Sequence, residues 1–209
     1  MKNSARRTSK LPFDPNPPDA ANEIRFYRAN EQPYGAFSNL FRRPIEFEGR
    51  VFPTAEHAYQ AGKARKEEVR EWILSAPTPG LVAMAAHGLY TWDIVPDWSQ
   101  IKYDRMRKVL RAKFTQHDDL RKILLSTGDA RIVEAGRVAN AVNCTWGEVN
   151  GKGKNMLGVL LMDLRAELIK ASSTASPKAK RLYRQNGLVV SASKISATTV
   201  RRGAAATTA

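Results

Sequence analysis

The sequence predicts a mainly α chain (α+β) with a small β element near its start. Two observations carry that prediction. Apolar residues recur at spacings of three and four through most of the chain after residue 54, whereas short, aromatic, strand-like segments are confined to residues 23–52. A third observation sets the limits: residues 1–22 are rich in Pro and Arg, and residues 172–209 in Ser, Thr, Ala, Lys and Arg. Both ends therefore read as disordered or flexible basic tails around a domain at 23–171.

Glu23–Arg28 reads as a strand and Pro33-Tyr34-Gly35 as a turn. Ile45–Phe52 reads as a hairpin turning at Glu48-Gly49. Pro53-Thr54 is a helix start, with Thr54 as N-cap, His57 at N3 and Glu56 in the first turn, where the helix dipole favours a carboxylate. Glu67–Ala76 follows with Val69, Trp72 and Ile73 on one face, then the small-residue segment Thr78–Leu89. Gln100–Thr115 is strongly amphipathic through Tyr103, Met106, Leu110 and Phe114. Asp118–Ser126 is a further helix stopped by Gly128. Asn155–Ala171 closes the series with Leu157, Leu160, Leu161, Leu164 and Leu168 as its buried stripe.

Formal net charge is +14, but seven Lys/Arg without a single acid lie in residues 171–209, and only about +5 belongs to residues 21–170. A nucleic-acid-binding domain carries its own basic face, so the charge argues against that class and leaves a modest excess suited to a phosphorylated ligand. Cys144 is the lone cysteine and fits a reducing, cytoplasmic setting. No Cys/His cluster resembles a metal site, and no apolar run approaches a membrane span. We therefore expect no metal site and no membrane partner. The oligomeric state is not legible.

The run Thr54–Ala64 carries the chemistry. At about 100° per residue, Glu56, Gln60 and Lys63 fall within roughly 40° on one helical face. Such a triplet is most often a solvated stripe. Here it is flanked by Ala58, Tyr59 and Ala61, and Gly62 in mid-helix implies close approach by a ligand or another element. A lysine acting as an amine must lose its proton, which burial or a cationic neighbour promotes. The segment Tyr34–Asn39 sets Gly35, Ser38 and Asn39 beside aromatics, as either a turn or part of a pocket. Gly151 and Gly153 precede a helix starting near Asn155, as either a connector or a phosphate loop. Trp92 and Trp98 read as core packing or an aromatic wall, His87 as a satisfied core histidine, and Cys144 as packing.

Taken in order, these segments resemble the NADAR family, which includes the bacterial YbiA-type N-glycosidases. The resemblance rests on Phe26-Tyr27, Tyr34–Asn39, Pro44–Lys63, Trp98, Lys102–Met106, Lys113-Phe114, Leu124–Gly128, Ile132–Glu134, Trp146-Gly147 and Gly153–Arg165. It implies a compact multi-helical YbiA-like domain that hydrolyses N-glycosidic bonds without metal or cofactor. The implied substrates are small phosphorylated ribosyl compounds: riboflavin-pathway intermediates carrying a ribosylamine phosphate, or ADP-ribose on guanine, including ADP-ribosylated nucleic acid. Glu56, Lys63 and Trp98 are the implied catalytic residues. Tyr34, Gly35, Ser38, Asn39, Gln60, Asn143, Trp146, Gly147, Gly153, Asn155 and Arg165 are the implied substrate-binding residues. The resemblance has one departure. Asn143 stands where relatives carry Asp three residues before Trp-Gly, so a member that binds ADP-ribose-like ligands without turnover is the alternative.

Overall fold

A computed structural model describes residues 22–174; the expected N-terminal tail and all but the first residues of the expected C-terminal tail lie outside them. The chain divides at Leu168 into two units, and the site lies wholly in the first. In order, the elements are β1 (Glu23–Phe26), a 3₁₀ turn (Tyr34–Phe37), β2 (Ile45–Phe47), β3 (Arg50–Phe52), α1 (Ala55–Ala61), α2 (Glu67–Leu74), α3 (Pro79–His87), a 3₁₀ turn (Thr91–Asp93), α4 (Trp98–Gln116), α5 (Asp118–Ser126), β4 (Arg131–Glu134), α6 (Ala141–Trp146) and α7 (Met156–Thr174). The fold is mainly α with two small sheets.

β2 and β3 form the expected hairpin, and Glu48 and Gly49 take the positive φ values that a tight two-residue turn requires. Thr54 caps α1, its Oγ1 accepting the His57 backbone N–H at 3.3 Å. Thr78 likewise caps α3 through the Leu81 N–H. All seven residues of α1 are buried. The helix packs against α3 and α4, so a polar side chain on it faces either the core or a cleft.

The core gathers Phe26, Phe37, Leu110, Phe114, Ile132 and Leu161, with Phe37 edge-on to Phe26 at 5.7 Å. α4 turns Met106, Val109, Leu110 and Phe114 inward, as its periodicity predicts, together with Lys113. The Lys113 ammonium is fully buried. It donates to the Ser38 carbonyl at 2.8 Å and lies over the Phe41 and Phe114 rings, and burial lowers its pKa to about 7.

Several expectations are corrected. α1 ends at Ala61, so Gly62 is its C-cap rather than a mid-helix residue. The Arg105 guanidinium occupies the space a Cβ would fill there, 2.0 Å from that position. Trp72 is 59% exposed because α2 buries only Ile73 against the small cluster of Ala64, Val82 and Ala86. His87 is no core residue: it ends α3 and is exposed. β4 and α6 have no counterpart in the periodicity. β4 pairs in parallel with β1, from Glu23 opposite Arg131 to Phe26 opposite Glu134, and a strand that finds its partner over a hundred residues away leaves no local pattern.

Candidate functional site

α1 and the two residues that follow it deliver the polar triplet to a cleft of about 330 Å³. Glu56, Gln60 and Lys63 line one side. Lys102 and Trp98 from α4, His87 from α3, Glu134 at the end of β4, and Asn143 and Trp146 from α6 line the rest. The geometry begins with backbone placement. The Glu56 N–H donates to the Asn39 carbonyl at 3.0 Å, tying α1 to the Ser38-Asn39 segment. Ala135 N–H donates to the Phe26 carbonyl at 2.7 Å and fixes the end of β4 beside it.

Glu56, Glu134, Lys63 and His87 are each perturbed in an intelligible way. Glu56 is 6% exposed, and burial raises its pKa to about 7 against a smaller opposing effect from the Gln60 amide, which donates to Oε1 at 2.8 Å. Glu134 is raised to about 7 as well, by burial first and by the charge of Glu56 second. Lys63 is 9% exposed and forms no ion pair among the described residues; its ammonium donates to the Ala86 carbonyl at 2.6 Å. Burial and the neighbouring Lys102 both lower its pKa. His87 is exposed as a residue, but its ring is partly desolvated at the cleft wall, and that desolvation and the charge of Lys63 lower its pKa. Two buried carbonyl oxygens, Gln60 Oε1 and Asn39 Oδ1, have no hydrogen-bond partner among the described residues. Buried acceptors left unpaired are costly, so both are suited to receive hydroxyl or amine donors from a ligand. Tyr59 stacks obliquely on Trp98 at 5.2 Å and meets Trp146 edge-on at 5.6 Å, forming an aromatic wall.

A second cavity of about 440 Å³ adjoins the first and shares Leu40, Glu134 and Asn143 with it. Tyr27, Arg28, Ser38 and Gly147 line its far side.

Of the residues expected from the sequence, Glu56, Lys63, Trp98, Asn39, Gln60, Asn143 and Trp146 line the first cavity, and Ser38 and Gly147 the second. Five line neither. Tyr34 stacks on Phe37 at 5.5 Å, and Gly35 is tight against the Ala29 carbonyl. Gly153 lies so near the Gly147 carbonyl that a Cβ would come within 2.1 Å of it. Asn155 spends its amide on the Ile132 carbonyl (2.8 Å) and its Oδ1 on the Glu134 N–H (3.0 Å). Arg165 is buried and donates to Thr127 Oγ1 (2.7 Å) and the Ala130 carbonyl (2.8 Å), so it is structural. Trp92 is 62% exposed and stacks on Tyr90 at 4.6 Å, outside both cavities.

Three cleft residues went unrecognised as such: Glu134, Lys102 and His87. Glu134 and Lys102 belong to the ordered motifs Ile132–Glu134 and Lys102–Met106, which was the available signal; nothing local distinguishes His87. Among the described residues no group of three or more His, Cys, Asp or Glu is placed to hold a metal ion, and no helix is long and apolar enough to cross a membrane.

The NADAR domain family matches residues 25–169. Over 146 residues the chain is 42% identical to "N-glycosidase YbiA" of Shigella flexneri serotype 5b, covering 69% of this chain and 88% of that one. It is 32% identical over 146 residues to "Riboflavin biosynthesis protein VVA0006" of Vibrio vulnificus, covering 69% of this chain and 38% of that longer one. The NMR structure of the Escherichia coli protein YbiA matches with a TM-score of 0.65 at 38% identity, covering 74% of this chain and 89% of that one.

Proposed function

This chain belongs to the NADAR family and is a hydrolase acting on N-glycosyl compounds, and we propose that its substrate is a phosphoribosyl-type N-glycoside. Two classes fit: a riboflavin-pathway intermediate carrying a ribosylamine phosphate, or ADP-ribosylated guanine. The name of the Vibrio vulnificus relative supports the first. The lone Cys144 accords with a cytoplasmic setting.

One observation carries the mechanism. Lys63 is a buried amine held by a backbone carbonyl instead of a carboxylate, and it shares its cleft with the buried carboxyl of Glu56. Burial and Lys102 favour the neutral amine, which is the nucleophilic form. Lys63 attacks the anomeric carbon of the ring-opened ribosylamine to give a Schiff base, the amine or base departs, and water hydrolyses the adduct. Glu56, whose pKa of about 7 suits both giving and taking a proton at neutral pH, shuttles protons between Lys63, the leaving nitrogen and water. Trp98 stacks on the substrate. Gln60 and Asn39 accept from the sugar hydroxyls through their unpartnered oxygens. Lys102 supplies positive charge for phosphate and the neutral His87 ring a hydrogen-bond donor, in place of the Gly151–Asn155 loop, because Arg165 is committed elsewhere and Lys152 and Lys154 line neither cavity.

The test is an assay of the purified protein against both substrate classes, with borohydride added during turnover. Release of free amine or base, with a reduced adduct on Lys63 that is lost in Lys63→Met, is the expected result. Turnover with no trappable adduct refutes the Schiff base in favour of direct attack by water with Glu56 as base. Asn143 motivates the second reading, a protein that binds ADP-ribose-like ligands without cleaving them. Saturable binding with no release from either substrate class establishes that reading instead.

A further inference from the structure

We infer that Glu134 is the acid that protonates the leaving nitrogen, and that the scissile C–N bond crosses the partition between the two cavities. The inference rests on the N-glycosidase reading above. The cavities share three residues, Leu40, Glu134 and Asn143. Leu40 has no proton to give. Asn143 donates its amide to the Val138 carbonyl at 2.7 Å. Among the described residues, Glu134 is therefore the one ionisable side chain that both cavities share.

Its backbone is fixed and its head is unoccupied. The Glu134 N–H is held by Asn155 Oδ1 at 3.0 Å, and its carbonyl accepts from the Glu148 N–H at 2.8 Å. Gly147 presses so close that a Cβ there would come within 2.2 Å of the same carbonyl. The Glu134 carboxyl itself takes no hydrogen bond among the described residues. The charged groups sharing its surroundings are Glu56 on α1, Lys63 just beyond it, His87 on α3, Lys102 on α4 and Arg28 after β1. Burial raises both acids to about 7, and the charge of Glu56 adds to the effect on Glu134; once Glu56 ionises, Glu134 holds its proton more tightly, and this singly protonated pair is the reactive form. Lys102, the cation set for phosphate, lines only the first cavity, beside Lys63, which places the phosphorylated sugar there and the departing amine in the second.

The protons balance. As the neutral Lys63 amine adds to C1 of the open-chain imine, Glu134 gives its proton to the leaving nitrogen. Glu56 takes a proton from the Lys63 nitrogen and passes it to the same leaving nitrogen. The C–N bond then breaks with its electron pair on the amine, leaving the protonated Lys63 Schiff base. Water adds to C1 and returns a proton to Glu134. Glu56 then carries the hydroxyl proton to the Lys63 nitrogen as the sugar aldehyde is released.

The test uses the full chain and a series of N-ribosyl phosphates whose leaving amines differ in basicity. In Glu134→Gln, kcat should fall roughly 10²- to 10⁴-fold, the range for loss of a general acid. The native alkaline limb near pH 7 should vanish, and the rate should become steeply dependent on leaving-amine basicity while borohydride still traps Lys63. A kcat within threefold of native, or an unchanged leaving-group dependence, overturns the assignment. If Glu134→Gln fails to fold, the native protein decides: its leaving-group dependence should steepen above pH 7, and a constant dependence to pH 9 overturns the proposal. Native turnover with an unaffected variant removes only Glu134; absence of native turnover removes the N-glycosidase reading and this assignment with it.

Discussion

Replacing Glu56 with Gln should make the protein more stable while removing its activity. The carboxyl is buried, and its pKa in the folded chain is about 7 against an ordinary value of 4.5. At about 1.4 kcal/mol per pKa unit, the ionised form costs the folded state roughly 3 kcal/mol relative to the unfolded chain. The sign follows from the direction of the shift. A carboxyl raised on folding contributes fully below its unfolded pKa, and that contribution is lost as pH rises from about 4.5 through 7. Between those values the folded chain binds more protons than the unfolded one, so stability falls with pH, and it levels off above 7. Gln keeps an oxygen that accepts from the Gln60 amide, which now donates to Glu56 at 2.8 Å, and it carries no charge to bury. It also relieves Glu134, whose pKa the charge of Glu56 raises. Urea unfolding of both proteins at pH 4.5, 6 and 8 measures the difference. The two curves should nearly coincide at pH 4.5, and the variant should lead by about 3 kcal/mol at pH 8. A gap that does not change with pH, or a variant no more stable at pH 8, refutes the claim that a desolvated carboxylate is held in this cleft.

Three further perturbations address the same architecture. Lys102→Met removes the positive charge that helps lower the Lys63 pKa, so the acidic limb of the rate profile should move to higher pH, with a rise in KM for phosphorylated substrate; kinetics from pH 5 to 9 check both. Asn155→Ala strips partners from the Ile132 carbonyl and the Glu134 N–H and places Ala at φ 50°. Thermal unfolding should report a loss of roughly 2–4 kcal/mol, and kcat should fall more than KM rises because Glu134 loses its mooring. Gly147→Ala drives a methyl to within 2.2 Å of the Glu134 carbonyl. The backbone must shift, at a cost of roughly 1–3 kcal/mol by chemical denaturation and with loss of turnover.

What could be read from the sequence was what is local. The cap at Thr54, the Glu48-Gly49 hairpin and the stripe of α4 are each set by residues within a few positions of one another, and each stands where the pattern puts it. The β1–β4 pairing and the six-residue α6 were not legible, because one depends on distant partners and the other is too short to show a period. The same divide runs through the site. Glu56, Gln60 and Lys63 could be placed on one face because they lie within about two turns of chain, although α1 stops two residues short of Lys63. Gly62 correctly signalled a close approach, but the approaching group is the Arg105 guanidinium. Arg165 shows the opposite failure: a charge next to a suspected phosphate loop reads as a ligand until its two buried acceptors are seen.

Asn143 bears most directly on whether the site can turn over substrate. Taken alone, an amide in place of a carboxylate removes a proton donor and a full negative charge. The fold makes that loss less severe than the linear motif implies. Asn143 uses its own amide to hold the Val138 carbonyl, so its remaining polar atom is an acceptor, suited to a hydroxyl. A carboxyl is already present on the same partition in Glu134, delivered by a strand whose position depends on β1. Adding a third acid at 143 beside two buried carboxyls, one of them already raised by the charge of the other, would push the cleft toward holding more protons at neutral pH. An uncharged residue at 143 adds no further negative charge to the pair, so Glu56 can ionise beside a protonated Glu134, and a singly protonated pair is what proton transfer to a departing amine requires.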